Sequence, residues 1–110
     1  MHEMALAQSV VDIALAQAGG AKVRVVRLSI GALSHVDPRA LEFGFEVVAK
    51  GTDAENAKLE VDRPPGVAWC MGCSRSVEVA AHGEPCSRCG GYHWVLTSGD
   101  EMRVVELEVS

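Results

Sequence analysis

A basic surface, long apolar runs and the usual catalytic signatures are all missing from this 110-residue chain, and each absence removes a class of function. Ten Lys and Arg stand against fifteen Asp and Glu, a net charge of −5, so there is no general electrostatic pull toward nucleic acid or an anionic membrane. A metal cation or a basic protein face suits that balance better. No run of about 18 apolar residues could span a bilayer. Met1-His2-Glu3 opens the chain where a secretory signal would carry a basic segment ahead of an apolar core, so an unexported, cytoplasmic protein with no membrane partner is expected. A Gly-rich phosphate loop, a nucleophile-elbow serine and a His-Glu-x-x-His zinc motif are absent. The histidines His2, His35, His82 and His93 are scattered, and no enzyme is expected. There is no internal repeat or low-complexity tract.

Against these absences stands enough apolar material, 48% of residues, for a modest core. Leu6, Val10, Ile13 and Leu15 recur at helical spacing between Met4 and Ala18, and Gly19-Gly20 supplies a stop that tolerates positive φ. Lys22 to Ile30 alternates as a strand with Val26, Leu28 and Ile30 on one face, after a change of phase at Val25-Val26. A second helix is punctuated by Asp37 as N-cap and Pro38 at its first position, with Val36 set to staple onto Leu41. Its buried stripe is Leu41, Phe45 and Val48, and Gly51 closes it. Leu59 and Val61 mark a strand that Pro64-Pro65-Gly66 ends, and Val105, Leu107 and Val109 alternate with Glu106 and Glu108 in a last one. The pattern predicts an α+β fold, a small three-stranded sheet with two helices, into which a zinc-ribbon-like module is inserted. Residues 1–65 form the first part of the outer lobe, 66–97 the module, and 98–110 the strand returning to the lobe.

The module holds every cysteine. Cys70-Met71-Gly72-Cys73 is followed after twelve residues by Cys86-Ser87-Arg88-Cys89. Cysteines of an unexported protein stay reduced, so metal ligation is the economical reading. Two Cys-x-x-Cys knuckles turn four thiolates onto one ion and complete the tetrahedral shell that zinc accepts at about 2.3 Å per bond. A filled shell leaves no position for water, which makes the zinc structural rather than hydrolytic. Val77-Glu78-Val79 is expected as a short strand and Gly83-Glu84-Pro85 as a turn. A rubredoxin-like iron site or a redox dithiol is also compatible with paired cysteines. His82 and His93 lie near the module as surface or packing residues, and Trp69, Tyr92 and Trp94 are expected to cover it.

Met1-His2-Glu3 forms a second candidate ligand set. A free α-amine, the His2 amide nitrogen and the His2 imidazole close adjacent chelate rings around one ion, a nitrogen-rich set that favours nickel(II) or copper(II). His2 is too large for ordinary removal of the initiating methionine, so the Met1 amine is expected to persist. A helix starting near Glu3 presents unpaired N–H groups and a positive partial charge, which a carboxylate has to offset. Glu3 offers that charge as ligand or counter-ion, and equally reads as a helix-start glutamate.

Taken in order, Met1-His2-Glu3-Met4, Ile30-Gly31-Ala32-Leu33, Val36-Asp37-Pro38 with the helix from Leu41 to Val48, the paired knuckles and Ser98-Gly99-Asp100-Glu101 resemble the HypA/HybF family of hydrogenase-maturation nickel metallochaperones over nearly the whole chain. The resemblance implies two lobes, nickel at His2 and structural zinc on Cys70, Cys73, Cys86 and Cys89. It further implies nickel delivery to the large subunit of nickel-iron hydrogenase, with the nickel-handling GTPase HypB as partner; some members also serve urease. Ser87 departs from the family, where a proline often follows the third cysteine, and relaxes the knuckle without removing a ligand.

The competing reading is a zinc-ribbon interaction or nucleic-acid-binding module. From Trp69 to Tyr92, Arg75 and Arg88 are balanced by Glu78 and Glu84. Four thiolates on a divalent ion add further negative charge, the opposite of what a phosphate binder needs.

Overall fold

The computed structural model describes residues 2–110, apart from the side chain of His2. Along the chain its elements are α1 (His2–Ala18), β1 (Val23–Ile30), α2 (Pro38–Ala49), β2 (Lys58–Asp62), β3 (Gly66–Cys70), β4 (Arg75–Val79), β5 (Trp94–Ser98) and β6 (Met102–Val109). They group into two units. The first takes the chain up to Ser29, Val36–Asp62 and Arg103–Ser110; the second takes Ile30–His35 and Arg63–Met102.

The first unit packs α1 on α2 and carries a three-stranded sheet in the order β2-β1-β6. The strands β1 and β2 run parallel, from Val25↔Lys58 to Ser29↔Asp62, an arrangement that needs a crossover and finds it in α2. Beyond the other edge of β1, Ser110 N donates to Lys22 O at 2.9 Å, so the end of β6 meets the start of β1 and the two run antiparallel. The pairing of all three strands in one sheet agrees with the expected three-stranded sheet. In β1, Val23, Val26, Leu28 and Ile30 are buried, and the phase slips between Val23 and Val26 as expected.

The helix α1 forms as its spacing predicts, but its buried face is offset from the large apolar residues. Ala7, Val10, Val11 and Ala14 are buried, whereas Ile13 is 45% exposed and Leu6 and Leu15 are only half-buried. The reason lies on α2. A β-carbon added to Gly44 would stand 2.9 Å from Met4 Sδ and 3.2 Å from Ala7 Cβ, so the helix backbones approach too closely for large side chains between them. Small residues won the seam.

The second helix follows its punctuation. Asp37 Oδ1 accepts from Arg39 N at 3.0 Å and Ala40 N at 3.5 Å, with Pro38 opening the first turn. A cap of this kind contributes about 1 kcal/mol. Leu41, Gly44, Phe45 and Ala49 form the buried face, with Val48 half-buried beside it.

The second unit is an antiparallel sheet in the order β4-β3-β5. Ala68 stands opposite Val77 on one side and Leu96 on the other, and this row opens a small core of Leu33, Ala68, Cys70, Val77, Val79 and Cys86, against which Trp94 packs. Leu33 arrives from the Ile30–His35 segment, which enters by backbone hydrogen bonds: Gly31 N to Glu101 O at 2.9 Å, Ala32 N to Pro64 O at 2.9 Å, and Leu33 N to Gly99 O at 2.8 Å. At this crossing a β-carbon on Gly31 would lie 2.1 Å from Gly99 O, so glycine is a steric requirement there. The turn between β4 and the second knuckle falls on His82-Gly83, closed by Glu84 N to Ala81 O at 3.4 Å, slightly ahead of the expected Gly83-Glu84-Pro85.

Candidate metal centre

The sequence brings four thiols to one point by repeating one local structure. In the first knuckle Ser74 N donates to Cys70 O at 2.8 Å, and in the second Gly90 N donates to Cys86 O at 2.8 Å. Each turn presents its two cysteines to the other pair. The Sγ atoms of Cys70 and Cys89 are 3.7 Å apart, those of Cys73 and Cys86 are 3.8 Å apart, and all four lie within 4.8 Å of one another. These are not disulfide distances, and all four cysteines are free. A tetrahedral ion with bonds of about 2.3 Å separates its sulfurs by about 3.8 Å, so the two measured edges match a zinc shell. Cys70 and Cys86 are buried, Cys73 is half-buried and Cys89 is exposed. The ion would therefore rest against the core on one side and near solvent on the other.

Electrostatics point the same way. Backbone N–H groups of Cys89 and Arg88 hold the Cys86 thiol down, to about 6, and the Arg88 N to Sγ distance is 3.4 Å. Cys73 is pushed up to about 12, chiefly by its hydrogen bond with Cys89, with burial and the other sulfurs adding to it. Four sulfurs this close cannot all ionise unaided, and a bound cation is what lets them. Gly91 N also donates to Cys89 Sγ, at 3.4 Å, so each knuckle-two sulfur has an amide donor available to stabilise a thiolate.

Of the aromatic residues expected to cover this unit, one does. Trp94 packs on the core and its Nε1 donates to Glu84 O at 2.8 Å. Trp69 is 44% exposed and Tyr92 is 67% exposed. Strand alternation explains Trp69: Ala68 and Cys70 point inward, so the residue between them points out. His93 is exposed, and its carbonyl accepts from Met71 N at 2.9 Å. His82 has a ring nitrogen 2.9 Å from Leu33 O and stacks on His35, with ring centroids 5.4 Å apart. No periodicity in the sequence signals that His35–His82 pairing.

At the other candidate site, the Met1 amine and the His2 imidazole lie outside the described residues. Glu3 is described. Its carboxylate accepts from the backbone N–H of Asp37 at 3.2 Å, which ties the first turn of α1 to the cap of α2. That hydrogen bond is the main reason its pKa lies below the ordinary glutamate value. The group is thus held as a carboxylate. The sequence offered three roles for Glu3 and gave no sign of this tie, because it joins residues 34 positions apart.

These features define a class: a small two-unit protein with a preformed cluster of four thiols able to hold a metal in one unit and an α+β unit bearing the chain's first residues. The family model described as "Hydrogenase/urease nickel incorporation, metallochaperone, hypA" matches residues 1–109. The chain belongs to the HypA family. It is 56% identical to hydrogenase maturation factor HypA 2 of Bradyrhizobium diazoefficiens over 99% of both chains, and 48% identical to HypA of Rhodopseudomonas palustris strain TIE-1 over 99% of both. Its fold is similar to the solution structure of the Ni metallochaperone HypA from Helicobacter pylori, with a TM-score of 0.68 at 24% identity, covering 97% of this chain and 96% of that one. A second solution structure of a HypA protein gives a TM-score of 0.73 at 24% identity, covering 100% and 97%. No described helix is long and apolar enough to cross a membrane.

Proposed function

We propose that this chain, a nickel metallochaperone of hydrogenase maturation, binds Ni(II) through the Met1 amine, the His2 amide and imidazole, and Glu3, and keeps structural zinc on Cys70, Cys73, Cys86 and Cys89. The family match across residues 1–109 carries this reading. Nickel is cargo and zinc is resident. The thiolate shell suits a fixed ion, because the shell is closed and a thiolate that lets go stays tethered to its knuckle and rebinds before the other three release. A chain end suits a transferable one, since few side chains hold it and incoming ligands can displace them singly. The Glu3 carboxylate, held ionised beside the start of α1, supplies negative charge where the helix dipole alone opposes a cation.

Delivery is to the large subunit of nickel-iron hydrogenase, or to urease, with a HypB-type GTPase as working partner, in the cytoplasm. The chain performs no catalytic turnover of its own.

A nickel titration of the zinc-loaded protein tests the site, run beside His2→Ala, Glu3→Gln and a version extended by a few residues ahead of Met1. The extension blocks the α-amine while leaving every side chain intact, and it should weaken nickel binding; so should His2→Ala. Unchanged affinity in both would mean that nickel binds elsewhere. Glu3→Gln keeps an oxygen for Asp37 N but removes the charge, so its effect measures the carboxylate alone.

A further inference from the structure

We propose that the outer edge of β6 is a docking site for an extended segment of a partner protein, one that alternates apolar and basic side chains and adds to the sheet as a fourth strand. β6 is an edge strand in the order β2-β1-β6, and at eight residues it is longer than the opposite edge, β2, with five. Edge strands of soluble proteins are ordinarily blunted by proline, lysine or a bulge. Met102–Val109 contains neither proline nor lysine, and Arg103 is its only cation.

A groove of about 370 Å³ runs along this strand, lined by Ile13 and Gln17 of α1 and by Val104, Val105, Glu106, Leu107 and Val109. Successive residues of a strand point to opposite faces, so a groove touching 104 and 106 as well as 105, 107 and 109 follows the edge of the strand rather than one face. Main-chain hydrogen bonding is available there. On the α1 side, Ile13, Val105 and Val109 are all close to half exposed or more, an apolar strip that the helix leaves uncovered.

The other side of the strand is acidic. Arg27 of β1 pairs with Glu60 at 2.9 Å, with Glu106 at 3.4 Å and with Glu108, so one guanidinium faces three carboxylates. Glu106 and Glu108 remain more than half exposed. An added strand with lysine or arginine on that side would complete the charge pairing while its apolar residues covered Ile13, Val105 and Val109. A second copy of this chain fits less well, because pairing centred on β6 would set these carboxylates against themselves. The site is independent of which metals the chain carries.

The test uses the full, zinc-loaded chain and short peptides followed by backbone amide shifts. A peptide alternating valine and lysine should bind with shifts confined to β6 and the Ile13 turn of α1. Alternating valine and glutamate, or the same valines and lysines in two blocks, should bind about tenfold or more weakly. Methylating alternate peptide nitrogens should abolish binding, as only strand pairing requires. The double variant Ile13→Lys, Val109→Lys, which changes two exposed positions, should also lose it while keeping the remaining spectrum. Equal binding of the alternating and block peptides, shifts centred elsewhere, or self-association through β6 that excludes the peptide would each overturn the proposal.

Discussion

The two units reach stability by different routes. In the first, two helices close over a seam where Met4 and Ala7 meet Gly44, and Val10, Leu28, Leu41 and Phe45 are buried. In the second, two of the six buried core residues are cysteines, and large side chains such as Trp69 and Tyr92 are left in solvent. A core that small stabilises little, and the zinc proposed on the four thiolates would replace the missing apolar area. One unit is held by packing, and the other has the cysteine cluster through which coordination would hold it.

The largest effect should come from removing the zinc proposed on the four thiolates. Structural zinc contributes roughly 10 to 16 kcal/mol of apparent binding energy in small folds, which is also folding energy. A strong chelator should therefore collapse amide protection over Arg63–Met102 while leaving α1, α2 and their sheet protected, as hydrogen exchange would read. Loss of protection in both units together would show that coordination holds the whole chain.

The same glycine-to-alanine change should separate the units next. At Gly31 the new carbon meets the Gly99 carbonyl at 2.1 Å, and backbone cannot yield as a side chain does; a loss of about 3 kcal/mol or more is expected. At Gly44 the nearest atom is Met4 Sδ at 2.9 Å, the end of a flexible side chain, so about 1 kcal/mol is enough to accommodate it. Chemical denaturation of both variants checks the ratio, and equal losses would contradict the close crossing at Gly31.

Smaller still is the cap. Asp37→Ala should cost the first unit about 1 kcal/mol and leave metal affinity at the thiolates unchanged. Smallest is the pH response of Glu3. Its folded pKa is lowered, so its contribution is present above the ordinary value of 4.5 and is lost as pH falls through the folded value. The stability difference between wild type and Glu3→Gln should accordingly vanish on acidification. A difference that persists in acid would assign the effect to packing instead of charge.

Much of this was legible in the residues. Asp37-Pro38 marked the start of α2 because capping is local, and the phase of β1 could be read because strand period is local. The cysteine spacing announced four thiols gathered at one point, since a Cys-x-x-Cys turn closes within its own residues. Which face of α1 is buried was not legible, for the opposite reason. Nothing within residues 2–18 says that Gly44 will bring a second backbone close enough to favour Ala7 and Ala14 over Ile13 and Leu15. Trp69 was likewise expected to cover the metal unit, although its place between two inward residues sends it outward.

By itself the sequence determined which residues cap, alternate and pair as Cys-x-x-Cys knuckles, because each of those properties is decided within a few neighbours. Only the tertiary structure decided that Ile30–His35 joins the cysteine unit, that Glu3 is tied to Asp37, that His35 meets His82, and that β6 keeps an open edge. Those outcomes depend on which distant segments come together, and a contact across tens of residues leaves no local pattern to read.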